Sequence, residues 1–145
     1  IMYISAQDLT VVFSERSLIE LSNDHSRATE YNPLVLDKAC QYATETVDGY
    51  LRSRYLLPLK SVPTIVRNIC LQFARIWLYS RRPEVKGFPE NVKDTYAQAL
   101  KDLERIQSGK LHLGLEELNE NGTNALDDVA KFKTRANKKI DLTGY

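Results

Sequence analysis

PLVLDKACQYATETVDGYLRSRYLLPLKSVPTIVRNICLQFARIWLYSRR, residues 33–82, decides the fold. In its first half Leu36, Ala39, Cys40, Ala43, Val47, Tyr50 and Leu51 recur at steps of three and four, which gathers apolar side chains on one face of an α-helix. Beyond Pro58 and Pro63 the same period returns in Ile65, Ile69, Cys70, Phe73, Ile76 and Trp77. Proline stops a helix because it lacks an N–H donor and its ring clashes with the preceding turn, and so short a connection permits only an antiparallel return. The spacing predicts a helical hairpin in which each apolar stripe covers the other.

Upstream, two short helices are expected. One runs from about Ala6 to Phe13, with the Ser5 hydroxyl as its cap and Asp8 at the third helical position, where a carboxylate favours the positive helix end. The other runs from about Glu15 to Leu21 behind Ser14. Helices this short are marginal in water by themselves, so Leu9, Val12, Phe13, Leu18, Ile19 and Leu21 must pack on the hairpin. The polar loop SNDHSRATEYN, residues 22–32, then ends at Asn32-Pro33, a capping residue followed by proline at the first helical position. Its acids Asp24 and Glu30 are too few for a calcium loop, and the obligatory glycine is missing.

Downstream, RRPEVKGFP (residues 81–89) reads as a loop. A further helical stretch follows from about Pro89 to Gln107, with Val92, Tyr96, Ala99, Leu100, Leu103 and Ile106 as its stripe and Ser108-Gly109 as its stop. The fold class expected is all-α: a small bundle of three long helices and two short N-terminal ones, with an extended C-terminal arm. After Gly109 the period changes to two. Leu111, Leu113 and Leu115 alternate with His112 and Gly114, the pattern of an extended segment that either lies on the bundle or adds to the edge of another chain. Residues 2–110 thus read as the bundle domain, and 111–145 as a strand-like segment followed by a charged tail ending in Lys131, Lys133, Arg135, Lys138 and Lys139.

At 145 residues the chain suits one domain of about 100–150 residues. Its 43% apolar and 27% charged residues are those of an ordinary globular protein, and no window approaches the roughly 20 apolar residues that cross a bilayer. Twenty basic against nineteen acidic side chains give a net charge of +1, without the excess of a protein that wraps duplex DNA. The natural start is expected at Met2. No basic segment followed by an apolar run opens the chain, which points to the cytoplasm. Cys40 and Cys70 fall on the inward stripes and read as buried free thiols.

Chemistry-bearing patterns are sparse. His25 and His112 lie far apart in sequence, neither cysteine has a close companion, and the glycines form no phosphate-binding loop, so neither a metal, a cofactor nor a hydrolase constellation is expected. The reading is of a protein that is not an enzyme. Across the hairpin, Glu45 falls level with Arg75, which suggests a partly buried ion pair; the alternative is two exposed charges of little consequence. Arg52, Arg54, Arg81, Arg82 and Lys86 cluster near helix ends, either as a solvated face or as a site for phosphate or an acidic partner. Tyr55, Leu56 and Leu57 at the corner and Leu111, Leu113 and Leu115 in the arm are the contact candidates, whereas Tyr50 reads as core.

Read together, MYISAQDLTVVFSERSLIELS (2–22), DGYLRSRYLLPL (48–59), VPTIVRNICLQFARIWLY (62–79) and VKDTYAQALKDLERIQSGKLHL (92–113) resemble the small proteins encoded in the structural-gene clusters of Mu-like phages and prophages. That family is similar in fold and gene setting to the head-tail connector, or adaptor, proteins of long-tailed phages. The resemblance implies a virion protein, present in the host bacterial cytoplasm during assembly. It also implies a ring of copies beneath the portal, contacts to the portal and to tail-side completion proteins, and DNA passing through without sequence-specific binding. A net charge near zero suits such a channel, since a strongly basic lumen would hold phosphate. A rival of another class is a small helical nucleic-acid-binding regulator, which the short N-terminal helices and basic tail permit but for which no polar recognition face is evident.

Overall fold

The computed structural model describes residues 2–25, 27–81 and 89–118. Five helices follow in order: α1 (Ala6–Val12), α2 (Glu15–Ser22), α3 (Pro33–Leu51), α4 (Thr64–Ser80) and α5 (Glu90–Ser108). Among the described residues there is no β-strand, and the chain is an all-α bundle with α4 packed between α3 and α5.

Each helix starts and stops where local chemistry dictates. At α1 the Ser5 hydroxyl accepts from Asp8 N–H and the Asp8 carboxylate accepts from Ser5 N–H at 2.8 Å, a reciprocal capping box. Ser14 caps α2 by accepting from Ser17 N–H. Asn32 Oδ1 accepts from Leu34 N–H at 3.1 Å, with Pro33 preset in the first turn of α3. Both α4 and α5 begin directly after a proline, Pro63 and Pro89, without a side-chain cap. The last helix ends at Gly109, whose φ of +85° lies in the left-handed region that glycine enters without a Cβ clash.

The core follows the predicted stripes of α3 and α5 closely and that of α4 with a rotation. Leu36, Ala39, Cys40, Ala43, Val47 and Leu51 are fully buried, and Leu103 and Ile106 seal them from α5. On α4 the buried arc comprises Val66, Ile69, Cys70, Leu71, Phe73, Ala74 and Leu78, while Ile65, Ile76 and Trp77 are only partly covered. A helix with a neighbour on two sides needs a wider apolar arc than a two-helix stripe. Burial of each large side chain contributes about 1.5–3 kcal/mol, and the short helices share in it through Leu9, Leu18 and Leu21.

The chain start is tied down by polar contacts that the apolar pattern does not contain. Tyr3 N–H donates to the buried Thr44 Oγ1 at 3.1 Å and its hydroxyl donates to the Asp48 carboxylate. Both thiols are free and buried as expected, and burial pushes Cys40 and Cys70 each up to about 12.

Candidate functional site

The α3–α4 corner and the segment that crosses it form one polar-edged, apolar-floored surface. Gly109 turns the chain back, and residues 109–118 run over the corner as a strap. Arg54 is its hub: Nε donates to Gln107 O at 2.9 Å, Nη1 pairs with Glu117 Oε2 at 3.3 Å, and its own carbonyl accepts from Leu118 N–H at 2.7 Å. The guanidinium lies so close to Gly109 that a Cβ there would have to displace it. His112 Nε2 lies 3.3 Å from Glu117 Oε1, and Gly114 N–H donates to His112 Nδ1 at 2.8 Å.

The predicted alternation of the strap is realised against the chain's own bundle. Leu111, Leu113 and Leu115 are half-buried and pack on the core, while His112 and Gly114 face out. Pairing with the corner amounts to a single antiparallel bridge, Tyr55 with Glu117, so the segment is extended but not a strand. Tyr55 is 1% exposed: its ring meets His112 edge-on, and its hydroxyl accepts from Leu113 N–H at 3.1 Å. It is therefore a structural pin rather than a surface contact, because the strap closes over it. Leu57 and Tyr50 are half-buried against the core, and Leu56 alone of the corner trio stands out, at 52% exposure. Beside Leu56, a cavity of about 220 Å³ opens between Leu59, Lys60, Leu115 and Leu118.

Glu45 and Arg75 are not brought together. Glu45 Oε1 accepts from Gln41 Nε2 at 3.1 Å on the exposed side of α3. Arg75 instead turns towards α5 and α1: Nη2 donates to Gln72 Oε1 at 2.8 Å and Thr95 Oγ1 at 2.5 Å, and the guanidinium lies 4.8 Å from the centre of the Phe13 ring. The rotation of the α4 arc explains the difference, since it moves position 75 off the α3-facing side. Of the predicted basic cluster, Arg54 joins the strap and Arg81 donates to Leu21 O and Asp24 Oδ1, while Arg82 and Lys86 lie outside the described residues, as does the basic tail.

The Tyr3 anchor and the Arg54 hub leave no signature in the local sequence pattern. Their partners lie 41 to 64 positions away, beyond any local periodicity; the one nearby signal, Gly109 after a helical stripe, marks a left-handed helix stop without naming what packs on it.

Fold and site define a small all-α bundle that closes its own corner with an extended strap. Among the described residues no group of three or more His, Cys, Asp or Glu is placed to hold a metal, and no helix is long and apolar enough to cross a membrane. Residues 3–131 match the family described as Bacteriophage Mu, Gp36, and the chain belongs to that family. It is 33% identical over 85 residues to the Mu-like prophage FluMu protein gp36 of Haemophilus influenzae, which covers 59% of this chain and 57% of that protein. It is also 27% identical over 114 residues to gene product J of Escherichia phage Mu, covering 79% of this chain and 77% of that one. The chain thus matches a little over half the length of the Haemophilus relative.

Proposed function

We propose that this protein is a virion structural component of a Mu-like phage or prophage, acting as a head-tail connector that assembles as a ring beneath the portal. Membership of the phage Mu family supports the phage setting. The observation that carries the connector step is the placement of large apolar side chains at the ends of firmly packed helices. Val11 at the end of α1 is 80% exposed, Leu34 at the start of α3 is 72% exposed, and Leu56 stands beside the corner cavity. Side chains so placed on a rigid bundle suit burial by neighbouring subunits. The role asks for no catalysis and no cofactor. The portal and tail-side proteins are the neighbours it requires, with DNA passing through without base contacts.

The test combines solution mass with binding to tailless heads. Light scattering over a concentration series is expected to show a closed oligomer, or else the chain is expected to co-sediment with tailless heads and occupy their portal vertex in cryo-electron microscopy. A monomer at every concentration that also leaves tailless heads bare would refute the connector role.

A further inference from the structure

At the end of the bundle away from the corner, the turn between α1 and α2 meets α4 and the first turn of α5 around a cavity of about 280 Å³. Its walls include Phe13, Leu18, Leu21 and Leu78, with polar groups from Ser17 and Asn91, and its only charged lining residue among those described is Arg75. No ion pair among the described residues includes Arg75. Its Nε is buried and lacks a hydrogen-bond partner, although Nη2 is held by Gln72 and Thr95.

A desolvated cation is costly to hold, and an orphaned donor on it adds to that cost. Burial accordingly lowers the Arg75 pKa. The Phe13 ring face compensates only in part. The planar fork is fixed from one side by two neutral oxygens, which orients it without neutralising it. The first turn of α5 reaches the same cavity through Asn91 and Val92, and that helix begins without a side-chain cap.

We propose that this cavity is a binding site for a single carboxylate carried on a short apolar stem, with Arg75 as the ligand for the carboxylate and the accessible Val12 and Phe13 side chains packing on the stem. One negative charge matches the one cation among the lining residues. The same chemistry is presented by a free short-chain acid and by a glutamate side chain of a neighbouring protein.

The test is a titration of the full chain, followed by the ¹⁵N–¹H resonances of the Arg75 Nε–H and of the Ser17, Asn91 and Val92 backbone, at matched ionic strength. Three probes are used: sodium butyrate, its neutral isostere butyramide, and a capped leucyl-glutamyl-leucine amide. Saturable shifts with butyrate, at a dissociation constant of roughly 1 mM, are expected for one charge-assisted pair and a few apolar contacts. Butyramide is expected to give none. Saturation by the glutamyl peptide but not by butyrate also supports the site and assigns the carboxylate to a protein side chain. Arg75→Met is expected to remain folded and to abolish the shifts. Should it not fold, Arg75→Lys keeps the charge without the fork and is expected to weaken binding about tenfold. Equal shifts with butyramide, no shift with either acid, or unchanged binding in the folded Arg75 variant would each overturn the proposal.

Discussion

Replacing Gly109 by alanine separates two contributions that meet at one atom. The backbone there has φ of +85°, and an L-residue held in that region costs about 1–2 kcal/mol. The new Cβ would also lie 2.9 Å from Arg54 Nη1 and 3.0 Å from its Cζ, so the guanidinium must move away. Moving it is sterically easy, but it breaks the bond to Gln107 O and the pair with Glu117. The Arg54 and Glu117 side chains are 30% and 27% exposed, so their pair exceeds a fully solvated one yet remains screened. A loss of about 1 kcal/mol for the displaced fork is a fair magnitude. Urea unfolding should therefore show Gly109→Ala destabilised by about 2–3 kcal/mol in the wild-type background but only about 1–2 kcal/mol beside Arg54→Ala, a coupling of about 1 kcal/mol. Equal losses in both backgrounds would refute the steric contact. A loss below about 0.5 kcal/mol would refute the left-handed turn itself.

Three further outcomes are expected. Burial keeps the Cys40 and Cys70 thiols protonated to about 12, against 9.0 for a free thiol, so the folded chain binds more protons than the unfolded one between these values. Stability should fall as pH rises from 9 towards 12, and urea titrations of a Cys40→Ala, Cys70→Ala chain should show a shallower decline. Ser5→Ala should lose about 1 kcal/mol by removing the hydroxyl half of the α1 capping box, read by thermal unfolding. Glu45→Gln should stay within about 0.5 kcal/mol of wild type; a loss well beyond that would reinstate an ion pair with Arg75.

The hairpin, the caps at Ser5, Ser14 and Asn32, and the stop at Gly109 were legible because each depends on residues within one or two helical turns. The alternation of Leu111, Leu113 and Leu115 was legible too, but not what it covers. A period of two says that one side is apolar; it carries no information on whether the covering surface belongs to the same chain. Rotation of α4 had a similar cause. A single apolar stripe suits contact with α3 alone, while the helix serves α5 as well, and Ala74 and Leu71 complete an arc that a two-helix pattern leaves out. That small rotation sent Arg75 to Thr95 and Phe13 instead of Glu45. Thr44 and Tyr3 stayed hidden because a polar residue within an apolar stripe announces a partner without naming it.

Because α4 reverses α3 and α5 reverses α4, the strap and the Arg75 cavity fall at opposite ends, about 24 Å apart along α5 from Asn91 to Gln107. The molecule therefore has a sense of direction. At one end it shows leucines framed by Lys60 and Glu117, and at the other a guanidinium among apolar, hydroxyl and amide side chains. Copies standing side by side in the same orientation would make a sheet with two unlike faces, whose polarity would be set within each single chain.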